Sequence, residues 1–235
     1  RPTIGCLSGI LILLLAFTSE AGAQVVNVER YRARRDSLHR WDGQLELGFS
    51  LSGREKQVLS LHEAANVARF SRRHTYLLLN NIDLIKAGGE NVESNGYLHG
   101  RATFFSRRLF SPEAFLQYQF DHNTGLEYRW LKGATIRYHI LNARRSDLYL
   151  ATGLMHEMEV WKVSGRTSHR ANIKFTNYVN LSLKPGRRFG ASAVVYYQAR
   201  PTRFFTPRIS SEVKMTIGLS DHLALGVAFS ATYDH

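Results

Sequence analysis

Five histidines in this chain stand next to a carboxylate, among them His62-Glu63, Asp121-His122 and His156-Glu157. An imidazole beside an acid can take a proton from water or from a serine hydroxyl, provided both groups converge on one point. On a β-strand adjacent side chains leave on opposite faces. His62 therefore diverges from Glu63, and His156 from Glu157, if either pair lies in a strand. Asp121-His122 falls in a connection and is where a hydrolase could assemble, although a polar turn is the simpler account. His99, two residues before Arg101, reads as a hydrogen-bonded lining residue. The ten histidines show no His-x-x-x-His pair and no acidic cluster at ligand spacing, so no metal is expected. Gly88-Gly89 precedes no helical pattern and cannot act as a phosphate cradle. Neither a catalytic residue nor a cofactor is expected.

The elements that must position these groups are strands. From Ala171 to Leu183, Ile173, Phe175, Val179, Leu181 and Leu183 share one face, while Asn172, Lys174, Thr176, Tyr178, Asn180 and Ser182 share the other. Such period-two alternation recurs from Trp41 to Tyr233 with no helical period between. It predicts strands near 41–52, 57–71, 74–86, 96–106, 110–121, 127–142, 147–162, 170–184, 188–199, 208–219 and 223–233. Paired arginines at 72-73, 107-108, 144-145 and 187-188 recur at roughly 35 to 43 residues, the length of two spanning strands and a turn. They mark every second turn. The alternate connections, Gly53 to Lys56, Lys86 to Gly96, Asp121 to Leu126, Lys162 to His169 and Ala199 to Pro207, look longer. Since outer loops exceed periplasmic turns in such barrels, the arginine turns are expected in the periplasm.

The expected fold is all-β, a transmembrane antiparallel up-and-down β-barrel of about twelve strands, roughly eleven of them within these residues. An even strand count implies a further strand beyond His235. A competing reading makes Val25 to Arg32 the twelfth and inverts every loop assignment. Before the barrel, Cys6 to Phe17 is too short to span a bilayer, and Ala21-Gly22-Ala23 offers a small-x-small cleavage site. Residues 1–23 therefore read as a signal peptide, 24–40 as a basic periplasmic leader (Arg30, Arg32, Arg34, Arg35, Arg40), and 41–235 as the barrel. Cys6 is the single cysteine, so disulfides and thiolate chemistry are excluded from the mature chain. The expected location is the outer membrane of a Gram-negative bacterium. The net charge of +12 sits in turns, not along one recognition face, which suits lipid phosphates and acidic envelope partners and not nucleic acid.

Parity then sorts the side chains. Apolar residues such as Leu225, Val227, Phe229, Met215 and Leu116 point to lipid, where a charge would cost about 2–4 kcal/mol at the midplane. The inward ionisable set is Glu46, Arg101, Glu113, Arg129, Arg137, Glu157, Glu159, Lys174, Glu212 and Lys214. Both signs are present, so these groups are expected to neutralise one another and occlude the lumen; a constriction of opposed charges in a narrow pore is the alternative. Trp130, Trp161 and the tyrosines read as interfacial belt residues.

Several segments in order carry a family likeness. They are Val28-Glu29, Gly43 with Leu45, Leu47 and Phe49, Tyr76-Leu77-Leu78, Asn81 to Ile85, His99-Gly100-Arg101, Glu113 to Gln119, Leu131 to Tyr138, and Glu157-Met158-Glu159. In this order the chain resembles the salt-induced outer-membrane protein family, catalogued as domain of unknown function 481, in its Bacteroidetes-like form. The resemblance implies an outer-membrane barrel with no assigned activity, so no catalytic residue carries over. It also implies that Tyr233-Asp234-His235 begins a loop leading to another strand. The functional expectation is a non-enzymatic structural or interaction barrel of the cell envelope, with a small diffusion channel as the alternative and a hydrolase as a third reading.

Overall fold

The structure, a computed structural model, describes residues 40–53, 57–106, 108–143, 145–186, 188–220 and 223–234. The expected signal peptide and nearly all of the basic leader lie outside the described residues, as do Arg107, Arg144 and Arg187. Eleven strands follow one another: β1 (Arg40–Ser52), β2 (Val58–Phe70), β3 (His74–Ala87), β4 (Glu90–Phe104), β5 (Phe110–Asp121), β6 (Leu126–Ala143), β7 (Ser146–Val163), β8 (Arg166–Leu183), β9 (Phe189–Arg200), β10 (Arg203–Gly218) and β11 (Ala224–Asp234). They form one antiparallel sheet in strict chain order, and no helix occurs among the described residues. The expected all-β meander is the observed one.

Three connections differ from the loops expected of them. β4 begins at Glu90 instead of near residue 96, β7 and β8 run out to Val163 and Arg166, and β10 begins at Arg203. For the β3–β4 and β7–β8 connections the reason is turn chemistry. Gly88 and Gly89 have φ of 61° and 89°, and Ser164 and Gly165 have φ of 51° and 76°. Two successive left-handed residues make the mirror-image hairpin turn whose twist matches the flanking strands. The Gly- and Ser-rich composition that looks like a long loop is what this two-residue turn needs. Connections at both ends are therefore short, and loop length does not distinguish the arginine-turn end from the opposite one.

The sheet curls strongly. Tyr178 on β8 donates its hydroxyl to Glu113 on β5 at 2.5 Å, and Arg208 on β10 donates to Glu157 on β7 at 2.7 Å. Each pair is three strands apart, about 14 Å in a flat sheet. Only a sheet rolled around these side chains brings them into contact. β1 and β11 are the two ends of the sheet and do not pair, so the cylinder is not closed along that seam. Outward residues Leu47, Phe49, Leu78, Leu116, Ile136 and Phe229 are exposed, while the inward face holds the buried polar groups. The outward face is not wholly apolar: Asn80 bonds Glu63 there, and Lys132 stands opposite His156.

The rim opposite the arginine turns is uneven. β7 and β8 pair to their tips at Val163 and Arg166, but β8 meets β9 only from Phe175 opposite Ala199 onward. The β7–β8 hairpin thus overtops the β9–β10 hairpin.

Two inward glycines permit the tightest crossing. A Cβ at Gly153 would meet the Ala134 carbonyl and lie 2.6 Å from the Thr135 Cα, while one at Gly133 would lie 2.7 Å from the Phe115 ring. Gly153→Ala is expected to lower stability by about 1–3 kcal/mol through overpacking against backbone that cannot yield. A fall in the urea midpoint of the detergent-folded protein, with its β-sheet circular dichroism intact, is the measurement that checks it.

Candidate functional site

Inside the curl, two layers of charge are packed on the strands β4 to β8, β10 and β11. The layer nearer the arginine turns centres on Glu113, whose side chain is shut off from solvent. Its carboxylate accepts hydrogen bonds from Thr103 Oγ1 at 2.9 Å, Thr135 Oγ1 at 3.3 Å and the Tyr178 hydroxyl at 2.5 Å. Arg101 and Arg137 stand 3.5 and 3.6 Å from it. The guanidiniums lie over rings, Arg137 over Tyr149 at 4.7 Å and Arg101 over Tyr178 at 5.7 Å. A buried carboxylate is tolerable only when its lone pairs and its charge are both met. Here hydroxyls meet the first need and guanidiniums the second.

The second layer lies nearer the opposite end. Arg208 donates from Nη1 to Glu157 at 2.7 Å, from Nη2 to Glu159 at 3.4 Å and from Nε to Asp234 at 2.7 Å. Arg129 Nε donates to Glu159 at 2.6 Å, the Trp161 indole donates to the same carboxylate at 3.1 Å, and Lys174 pairs with Glu157. Three cations face three carboxylates: Arg129, Lys174 and Arg208 against Glu157, Glu159 and Asp234. Arg129, Glu157 and Glu159 are buried. Tyr149 meets Tyr178 edge-on, Tyr178 lies tilted against Tyr196, and Val194 completes this buried cluster.

Of the ten inward charges expected, the structure brings Arg101, Glu113 and Arg137 into one cluster and Arg129, Glu157, Glu159 and Lys174 into the other. Glu212 and Lys214 form a separate pair at 2.6 Å on β10. Glu46 stays apart on the first strand, on the wall of a polar cavity of about 860 Å³ bounded by Asp42, His62, Asn66, Asn81 and Tyr97. At that wall His62 Nδ1 lies 2.5 Å from Asp83.

Sequence reasoning puts Arg208 at the start of the tenth strand but leaves it out of the inward charges, and it reads Asp234 as the start of a loop. Alternation run back from Ser210 puts Arg208 in phase with Glu212 and Lys214, which was the available signal. The belt reading fails for four aromatics, of which Tyr178 already stood on the inward face by alternation. Tyr149, Tyr178 and Tyr196 are buried inside and not belt residues, and Trp161 turns in to Glu159, whereas Trp130 is outward and exposed.

The Asp121-His122 neighbours do not converge. Asp121 Oδ1 accepts from the Thr124 amide at 3.3 Å, while His122 Nδ1 meets Ser94 Oγ at 3.0 Å. Ser94 also receives the His122 amide on its carbonyl at 2.9 Å and gives its own amide to Asn123 at 3.0 Å. This set of bonds fastens the β5–β6 turn to β4. Among the described residues no group of three His, Cys, Asp or Glu side chains is placed to hold a metal.

A family model described as "Protein of unknown function, DUF481" matches residues 45–235. The chain belongs to this family. No curated protein and no solved structure matches it. The DUF481 match takes in both ionic layers and the polar cavity except its rim at Asp42, Gly43 and Gln44, so the charged lumen is part of the family domain. Within it, removing Glu113 should leave two guanidiniums buried without their counter-charge. Glu113→Leu is expected to cost about 3–5 kcal/mol in urea unfolding, and adding Arg101→Met and Arg137→Met should recover most of it. Full additivity of the three substitutions would contradict this account of the cluster.

Proposed function

We propose that this DUF481 chain is an outer-membrane β-barrel of a Gram-negative envelope, with a non-enzymatic structural or interaction role and a lumen held shut by its own ion pairs. Its inside-out polarity supports the location: apolar side chains such as Leu47, Leu116 and Phe229 are exposed outside while Arg129, Arg137 and Glu157 are buried within. Lipid reverses the usual rule for a soluble sheet, so this distribution is the low-energy one in a bilayer. The apolar run before Ala21-Gly22-Ala23 supports export. In this reading the arginine turns face the periplasm, where they meet lipid phosphates or acidic partner proteins.

The observation that carries the closed state is the desolvated pair of layers around Glu113 and around Glu157 and Glu159. A hydrated permeation path would leave such charges wet and separated, as constrictions do. The polar cavity beside Glu46 and His62 favours a second reading, a small diffusion channel along the β1–β4 wall.

Planar-bilayer recording of the purified full-length protein tests these against each other. No discrete conductance steps are expected from the wild type, and steps are expected once Glu157→Ala and Arg208→Ala together remove the central link. Wild-type steps equal to those of the double variant would reject the closed barrel in favour of the channel. Recovery of the mature protein as a soluble monomer without detergent would reject the membrane location.

A further inference from the structure

The uneven rim leaves a strand edge free in the middle of an otherwise continuous sheet. From Arg166 to Lys174, β8 is paired with β7 on one side, and among the described residues no strand pairs with it on the other. Residues Arg166 to Ala171 are all exposed. The stretch from Arg166 to Ile173 offers about 26 Å of backbone edge with half of its amides and carbonyls pointing away from β7. At the foot of this edge the β9–β10 hairpin turns between Arg200 and Arg203, and Phe205 there is 91% exposed. Together the edge and the hairpin top form a notch.

Its chemistry is one-sided. Arg166, His169, Arg170, Arg200 and Arg203 surround the notch, and no carboxylate occurs in 164–174 or 199–208. The acid opposite Arg170 in the β7–β8 register is Glu159, whose carboxylate is occupied by Arg129, Arg208 and Trp161. Natural edge strands are usually blunted by proline, bulges or a covering segment. The ionisable side chains along this edge, Arg166, His169 and Arg170, are all basic, which deters basic strands and attracts acidic ones.

We propose that the notch is a docking site for an acidic, extended segment of a partner protein, added as a strand to the free edge of β8. Backbone hydrogen bonds to Thr167–Ile173 supply the affinity, the arginines select for Asp and Glu, and Phe205 contacts an apolar side chain of the incoming strand. A phosphate-bearing lipid would satisfy the arginines but not the row of amides and carbonyls. The site lies outside the lumen, so it exists whether the barrel is closed or conducting.

The probe is a fluorescent synthetic peptide of about ten residues, alternating Asp or Glu with Val or Tyr, added to the full-length protein in detergent. Binding is expected to be at least about tenfold tighter than for the same peptide with Lys in place of the acids, and to fall about tenfold in R166E/R170E. Hydrogen exchange should slow across 167–173 when the peptide binds and stay unchanged across β2. The same heat-induced shift in gel migration as the wild type establishes that the variant is folded. Binding without protection of 167–173, equal binding of the Lys peptide, or no binding would overturn the proposal. Displacement of the peptide by phosphatidylglycerol micelles but not by the uncharged detergent would assign the notch to a lipid surface instead.

Discussion

A carboxylate removed from water must find its counter-charge and its hydrogen-bond donors in the protein, and Glu113 imposes that condition on half of the sheet. Its partners come from β4, β6 and β8 at once. No flat arrangement satisfies it. The curl of the sheet, the burial of Arg101 and Arg137 and the edge-to-face contact of Tyr149 and Tyr178 all follow from bringing those strands around one acid. The Glu157–Glu159 layer repeats the logic with β6, β7, β8, β10 and β11. Interior charge here is what sets the radius of the structure, in the way that apolar packing sets the thickness of a soluble sandwich.

The two halves of the inward face differ in kind. On β1 to β3 most inward side chains that border the polar cavity are short or neutral, such as Ala64, Asn66 and Asn81, with Asp42, Glu46 and His62 among them. From β4 to β8 the inward charges Arg101, Glu113, Arg129, Arg137, Glu157, Glu159 and Lys174 are long and buried. Only the second half can fill its own interior. That asymmetry explains why Glu46, formally part of the same inward set, joins neither cluster.

Much of the fold was legible because alternation is a local property of the chain. All eleven strands and the inward side of the ten charged residues singled out follow from parity, and the match to DUF481 agrees with the order of motifs from Leu45 to Glu159. What parity cannot give is distance across the lumen. Nothing in the sequence links Tyr178 to Glu113, 65 positions apart, or Arg208 to Glu157, 51 apart. The belt assignment failed for Tyr149, Tyr178 and Tyr196 for a related reason: an aromatic with a hydroxyl suits both an interface and a buried acid, and only the curl decides. The loops failed because Gly88-Gly89 and Ser164-Gly165 are read as flexible when two left-handed residues in succession make the tightest hairpin.

Strict chain order in the sheet has a kinetic consequence. Every backbone ladder joins strands adjacent along the polypeptide, so each can zip from its own turn with little closure entropy. The acids of the interior do not assemble that way. Glu113 waits for β8, and Glu157 waits for β10, before desolvation is compensated. Hairpins therefore precede curvature during assembly, and the interior stays hydrated until the last third of the chain has added its strands.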